Sequence, residues 1–282
     1  DAGQAFESSI ARGRYALVLS LVESGRWDLS PDLAQFGSPD VARIGGKYIS
    51  IFPPGVAFLV MPFYLLGKLV NMGQLFSSYA IALVGFVNFL LLYKLGIKLK
   101  MSKNISLLAS IIFTFASNAL SYMVVISQHH VTTLFMLLTI HTLFLKKSVW
   151  KHIIFWLLYG ASVLVDWPNI ILMFPIVLYL VFTEIININL APQRMKLAIT
   201  TWAFALIVVL LVPVGIYGAY NIKTTGSPYL FGQVLPRFTG FEKVQKKATE
   251  TFSAKRIVPF SVEKMPFGLF ILLFGEERGV LF

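Results

Sequence analysis

The sequence contains no cysteine, so disulfides, thiol nucleophiles and cysteine-ligated zinc are excluded, while the redox compartment is left open. It is also poor in charge: Asp, Glu, Lys and Arg make up 13% of 282 residues, against about a quarter in soluble domains. Acidic side chains are the scarcer kind, 13 against 24 basic, for a formal net charge of +11. There is no Walker A sequence, no GxGxxG after a strand, no HExxH and no GxSxG elbow, which leaves cytosolic nucleotide chemistry unsupported. What is abundant is apolar surface, with 57% hydrophobic residues and a mean hydropathy of +0.75. A compact globule of this size cannot hide that much of it. An ordinary water-soluble domain is thereby excluded, and the expectation is an all-α polytopic membrane protein.

In a soluble chain the basic excess would point to nucleic acid. Here the basic residues cluster in loops between apolar runs, where anionic headgroups and the positive-inside bias act on them, so no nucleic-acid partner is expected. Five runs are long and apolar enough to read as spans: 75–93, 105–126, 131–145, 168–186 and 197–220. Two more are marginal, 153–165 because it is short and 266–282 because the sequence ends within it. Lys94, Lys98, Lys100 and Lys103 share one short loop, Lys146, Lys147 and Lys151 a second, and Arg194 and Lys196 a third. All three are expected in the cytoplasm, and two spans separate each from the next.

That topology puts residues 1–74 outside as a loop, 75–220 in a transmembrane bundle, 221–265 in a long basic outer loop, and 266–282 at the start of a further span. The run 52–70 is broken by Pro53, Pro54 and Pro62, and reads as an interfacial or shallow re-entrant helix rather than a span. Residues 7–23 read as a short amphipathic helix on the membrane, stopped by Gly25. The absence of an initiator Met and the apolar ending read as a fragment. The expected location is a prokaryotic cytoplasmic membrane, with the site facing outside.

The polar residues outside the lysine loops collect on the outer side: Asp40, Gln128, His129, His130, Asp166, Asn169 and Asn221. An ionisable residue at the edge of an apolar span is costly, which makes it a candidate for function. His129 and His130 stand at a helix start, able to bind a phosphate, ligate a metal or cap the helix. His141 reads as a buried, hydrogen-bonded residue and His152 as a cytoplasmic-interface one. Asp166 (VLVDWPN) is either a site residue or the N-cap of the helix that Pro168 opens. Asp40, on an outer loop leading into the proline-broken helix, is the acid/base candidate. The loop 221–265 carries Lys223, Arg237, Lys243, Lys246, Lys247, Lys255, Arg256 and Lys264, either an attractor for a lipid phosphate or a solvated surface.

The strings ARGRYALVLSLVESGRWDL and PDVARIGGKYISIFPPGVAFLVMPFYLLG resemble the first outer loop of GT-C-fold glycosyltransferases. The likeness is to the glycosyltransferase 39 group, which includes protein O-mannosyltransferases and aminoarabinose transferases. SQHHVTTLF is similar to that family's second outer loop, VLVDWPN to a recurring helix junction, and AYNIKTTGSPYLFG and FGEERGVLF to segments of remoter members. The resemblance implies a GT-C-like helical bundle with membrane-parallel helices in the first outer loop, preceded by a span upstream of Asp1. It implies transfer of a sugar from a polyprenyl- or dolichyl-phosphate donor to a lipid, glycan or protein acceptor, outside the cytoplasm and with inversion.

Such a site needs a carboxylate to deprotonate the acceptor, donors to hold the leaving phosphate, and an apolar groove for the prenyl chain. Asp40 is the expected base, and Arg14, Lys47, His129, His130, Asp166, Asn221 and Arg278 the expected substrate- and phosphate-binding residues. The run 52–70 is expected to line the groove. Two departures from the family stand out. Its acidic residue before the Arg-Tyr pair is missing, since Ala11, Arg12 and Gly13 precede Arg14 and Tyr15, so either Asp40, Glu7 or Asp1 serves instead or the transferase activity is lost. His129 and His130 stand where members often carry an acid, which leaves use of a divalent metal open. A transporter or lipid flippase without transferase activity is the competing expectation, and a non-catalytic scaffold the third.

Overall fold

The computed structural model describes residues 6, 8–191, 194–240 and 270, with the backbone alone over 187–191 and 194–199. The chain divides into two compact units, 1–242 and 243–282. All the described residues except Phe270 belong to the first unit. Asp1, Glu7, Lys243, Lys246, Lys247, Lys255, Arg256, Lys264, Arg278 and the expected span 266–282 lie outside the described residues.

The chain is mostly helical. Helix α1 (Ser9–Ser24) ends at Gly25, whose φ of 62° is the left-handed turn that made this glycine a stop signal. Helix α2 (Pro31–Gly37) starts where Ser30 accepts from the Leu33 N–H and Pro31 occupies the first turn. The all-α expectation then needs its first correction. Strands β1 (Val41–Ile44) and β2 (Lys47–Ser50) form an antiparallel hairpin, closed by Gly45 and Gly46 at φ 54° and 79°. Two consecutive residues with positive φ make the tight turn that suits strand twist, and glycine adopts it without strain.

Helix α3 (Gly55–Lys68) begins after Pro53 and Pro54 and carries Pro62 inside it. It packs on α1 and on α4 (Gly73–Lys98). The expected span 105–126 is two pieces, α5 (Lys103–Phe115) and α6 (Ala119–Met123). The break has a local cause: the Ser117 hydroxyl donates to the Phe113 carbonyl and accepts from the Ala119 N–H, offering the backbone an alternative to the helix. Helices α7 (His129–Leu143) and α8 (Val149–Val165) run side by side in the core and are joined by a short turn.

The expected span 168–186 is α9 (Asn169–Leu172), α10 (Phe174–Leu180) and a π turn over Val181–Ile185. Strands β3 (Ile186–Ala191) and β4 (Arg194–Ile199) follow as a second antiparallel hairpin, where the third basic loop and the first residues of the span 197–220 were expected. Helical structure resumes with α11 (Thr201–Ala205), a 3-10 stretch Leu206–Leu210 and α12 (Leu211–Thr225), which ends at Gly226. Among the described residues two helical runs are long and apolar enough to cross a membrane, Gly73–Lys98 and Thr201–Thr225.

The helices are patterned inside out relative to a soluble bundle. On α5 the buried residues are Ser106, Ser110 and Thr114, while Ile105, Leu108, Ile112 and Phe115 face outward. Helix α4 buries Ser77, Ala80, Gly85, Asn88 and Gly96 among its inner residues and exposes Leu83, Phe86 and Leu90. Small and hydroxylic residues between helices, with large apolar ones outside, is the packing expected where lipid is the solvent. One apolar cluster lies where α1, α3 and α4 meet the start of α7 and the ends of α8 and α12, and a second joins Phe155, Trp156 and Tyr159 of α8 to Met173, Leu180 and Ile185.

Candidate functional site

Opposite ends of α7 and α8 differ in chemistry. Helix α8 has 17 residues, which at 1.5 Å each separates its ends by about 25 Å. At one end stand the lysines. Lys98 lies over the Phe144 ring at 5.3 Å, and Lys147 donates to the Glu184 carbonyl at 2.8 Å. Lys151 is no solvated loop residue: it is buried, donates to the Leu143 and Leu145 carbonyls at 3.0 Å, and pairs with Glu184. His152, expected at the interface, is buried too and bonds Glu184 at 3.1 Å. His141 is the hydrogen-bonded residue it was read as, with Nδ1 donating to Leu137.

At the other end α1 carries Arg14 into the interior, 1% exposed. Its Nη2 donates to Gln128 Oε1 at 2.7 Å, and the guanidinium lies 3.8 Å from the centroid of the Phe52 ring. Nε and Nη1 are buried without a hydrogen-bond partner among the described residues. Burial lowers the guanidinium to about 10, while Asp166 and then Asp40 pull in the opposite direction, so Arg14 is a cation at neutral pH.

Asp40 links α2 to β1 and is 3% exposed. Its N–H donates to Gly37 and its carbonyl accepts from Ile51. Gly13 creates the room: a Cβ there would come within 3.2 Å of the Asp40 Cβ, the Asp40 carbonyl and the Phe52 ring. Asp40 Oδ1 meets Arg237 Nη1 at 3.2 Å, whereas Oδ2 is buried with no partner among the described residues. Asp166 leaves α8 and accepts from Gln233 Nε2 at 3.2 Å. Burial pushes its carboxyl above the ordinary aspartate value, against the Gln233 bond, the charges of Arg14 and His129, and the Trp167 N–H. It makes no side-chain cap on α9, so the capping alternative falls away.

The structure therefore brings Arg14, Asp40, Asp166 and His129 to one end of the bundle, His129 stacking obliquely on Tyr122 at 4.1 Å within electrostatic reach of Arg14 and Asp166. Three expected residues stand apart. Lys47 is exposed on β2, near the Asp28 that pairs with Arg26. His130 is a tie between helices: Nε2 donates to the Ala119 carbonyl at 2.7 Å, and Asn88 Nδ2 donates to the His130 carbonyl at 2.9 Å, with Nδ1 3.3 Å away. Asn221 closes a turn, donating to the Pro228 carbonyl at 3.0 Å.

Sequence reasoning missed Gln233, placed Arg237 only in the basic outer loop, and had Phe52 only as the start of the run lining the groove. No sequence signal announced Gln233 and Arg237 beside the two acids, because they reach the site through the segment after α12, which returns to the first hairpin by the Ala42–Arg237 bridge. Among the described residues no three His, Cys, Asp or Glu side chains gather as a metal would need. Comparison with known proteins finds no matching family model, no matching curated protein and no matching solved structure.

Proposed function

We propose that the chain is a polytopic membrane glycosyltransferase of the GT-C kind. It moves a sugar from a polyprenyl-phosphate donor to an acceptor hydroxyl at the end of the bundle away from the lysines. One observation carries the reading: the carboxylate oxygen Asp40 Oδ2 and two guanidinium nitrogens of Arg14 are buried together, and none has a partner among the described residues. Buried polar groups are nearly always hydrogen-bonded, so a base and a cation left short of partners at one end of the bundle suit a polar ligand. The inside-out patterning of α4 and α5 supports a lipid environment, and the resemblance to the glycosyltransferase 39 group supports the sugar.

In this reading Asp40 takes the proton of the acceptor hydroxyl as the oxygen attacks the anomeric carbon from the face opposite the phosphate. The glycosidic bond forms, the bond from that carbon to the phosphate oxygen breaks, and the polyprenyl phosphate leaves with the negative charge. Arg14 meets that charge with donors already positioned, in a place where charge interactions are little screened. His129 and Asp166 lie within electrostatic reach of Arg14, Asp166 helping to keep the buried guanidinium charged.

The test is transfer from a labelled polyprenyl-phosphate sugar pool in membranes holding the full-length protein, wild type against Asp40→Asn and His130→Ala. Asp40→Asn is expected to lose about 10² to 10⁴ in rate at matched expression and to keep donor binding. His130→Ala is expected to lower expression or stability and not the rate per folded molecule. Full activity in Asp40→Asn removes Asp40 as the base. No transfer from any donor by wild type removes the enzyme and favours a transporter or scaffold.

A further inference from the structure

Resting on the reading above, the geometry points to Arg237 as the outer cation of the donor-phosphate site, one that leaves Asp40 for the phosphate when the donor binds. Its backbone is fixed. Arg237 bridges to Ala42, the Phe238 N–H donates to the Val41 carbonyl at 2.6 Å, and the Ser38 hydroxyl donates to the Phe238 carbonyl at 3.1 Å. The side chain is not fixed to the same degree: it is 60% exposed and reaches Asp40 Oδ1 from the solvent side.

Asp40 thus stands between two cations of different kinds, Arg14 at 1% exposure inside and Arg237 outside, with Oδ1 turned to the outer one. A partly exposed Arg–carboxylate contact is screened and weak. A planar guanidinium on a phosphate makes two parallel charge-assisted bonds, which are stronger. Exchange of Asp40 for phosphate is therefore favourable for Arg237, and it frees Oδ1 beside the already unpartnered Oδ2 when a donor is present. The group recognised is a phosphate, whether esterified to a prenyl chain or free.

The experiment is calorimetric titration of the purified full chain in detergent with farnesyl phosphate and, separately, with inorganic phosphate. Wild type is compared with Arg237→Gln, Arg237→Lys and the neighbouring surface change Arg43→Gln. Farnesyl phosphate is expected to bind wild type and Arg43→Gln alike, Arg237→Gln about tenfold more weakly and Arg237→Lys in between. Inorganic phosphate is expected to compete, with the same order among the variants. Equal affinity in Arg237→Gln and wild type overturns the proposal, as does a failure of inorganic phosphate to compete, which would mean that the chain and not the phosphate is read. In the transfer assay Arg237→Gln is expected to raise KM about tenfold and to keep kcat. Arg237-dependent phosphate binding without any sugar transfer keeps this site and removes the transferase; transfer with binding indifferent to Arg237 does the reverse.

Discussion

Burying a cation costs several kcal/mol unless its donors are met, and Arg14 meets that condition at one nitrogen of three. What it gives the fold is one bond to Gln128, the contact with the Phe52 ring and a charge beside Asp166 and Asp40. Arg14→Lys keeps that charge without the planar donor fork, and is expected to weaken phosphate binding about tenfold while the thermal midpoint of the purified protein changes little. Unchanged phosphate binding in Arg14→Lys would remove the guanidinium from the site. His130 and Asn221 teach the opposite lesson. Both looked functional in the sequence because they are polar residues at helix ends, yet each is consumed by backbone carbonyls, of Ala119 and Pro228. Residue type and position in the chain do not distinguish a side chain that faces a recess from one that faces a neighbouring helix. Arg14 and Asp40 were legible as candidates, but their proximity was not.

At the scale of elements, apolar runs located the helices and erred on their continuity. The run 105–126 is apolar enough to read as one span, but Ser117 interrupts it through its own hydroxyl, and the hairpin at β3 and β4 fills the expected Arg194 and Lys196 loop and takes 197–199 from the span after it. The first hairpin was more legible than the reading made of it, since Gly45 and Gly46 between short alternating runs are a turn signal. One contact between elements is demanding. The start of α3 meets the end of α8 at Gly55, where a Cβ would lie 2.5 Å from the backbone carbonyl of Leu164. Backbone cannot rotate away, so the helices must part. Gly55→Ala is expected to destabilise the protein by about 1 to 3 kcal/mol, read as a lowered thermal midpoint, and to reduce transfer because Asp166 follows Val165 directly. An unchanged midpoint would mean that the two helix ends slide apart freely.

For the molecule as a whole, the lysines of the first two loops and the Arg14–Asp40 group fall at opposite ends of α7 and α8, and which end faces outside is a matter for measurement. These 282 residues contain no cysteine, so a thiol introduced among them has no competitor within them. Asp32→Cys is expected to react with an impermeant maleimide in intact cells, and Lys98→Cys and Lys147→Cys only after permeabilisation. Labelling of positions 32 and 98 from the same side would overturn the topology.

The bond from Ser38 to Phe238 spans 200 residues of sequence. At a synthesis rate of about 5 to 20 residues per second, roughly 10 to 40 s pass between the emergence of Asp40 and the arrival of the segment that meets it. Over that interval the early hairpin sits in the growing chain with no Arg237 beside its carboxylate and no Gln233 beside Asp166. The site is thus completed by the strand of chain that leaves α12, and a nascent protein halted before that point holds its acids with Arg14 but without the Arg237 and Gln233 groups that meet them in the completed fold.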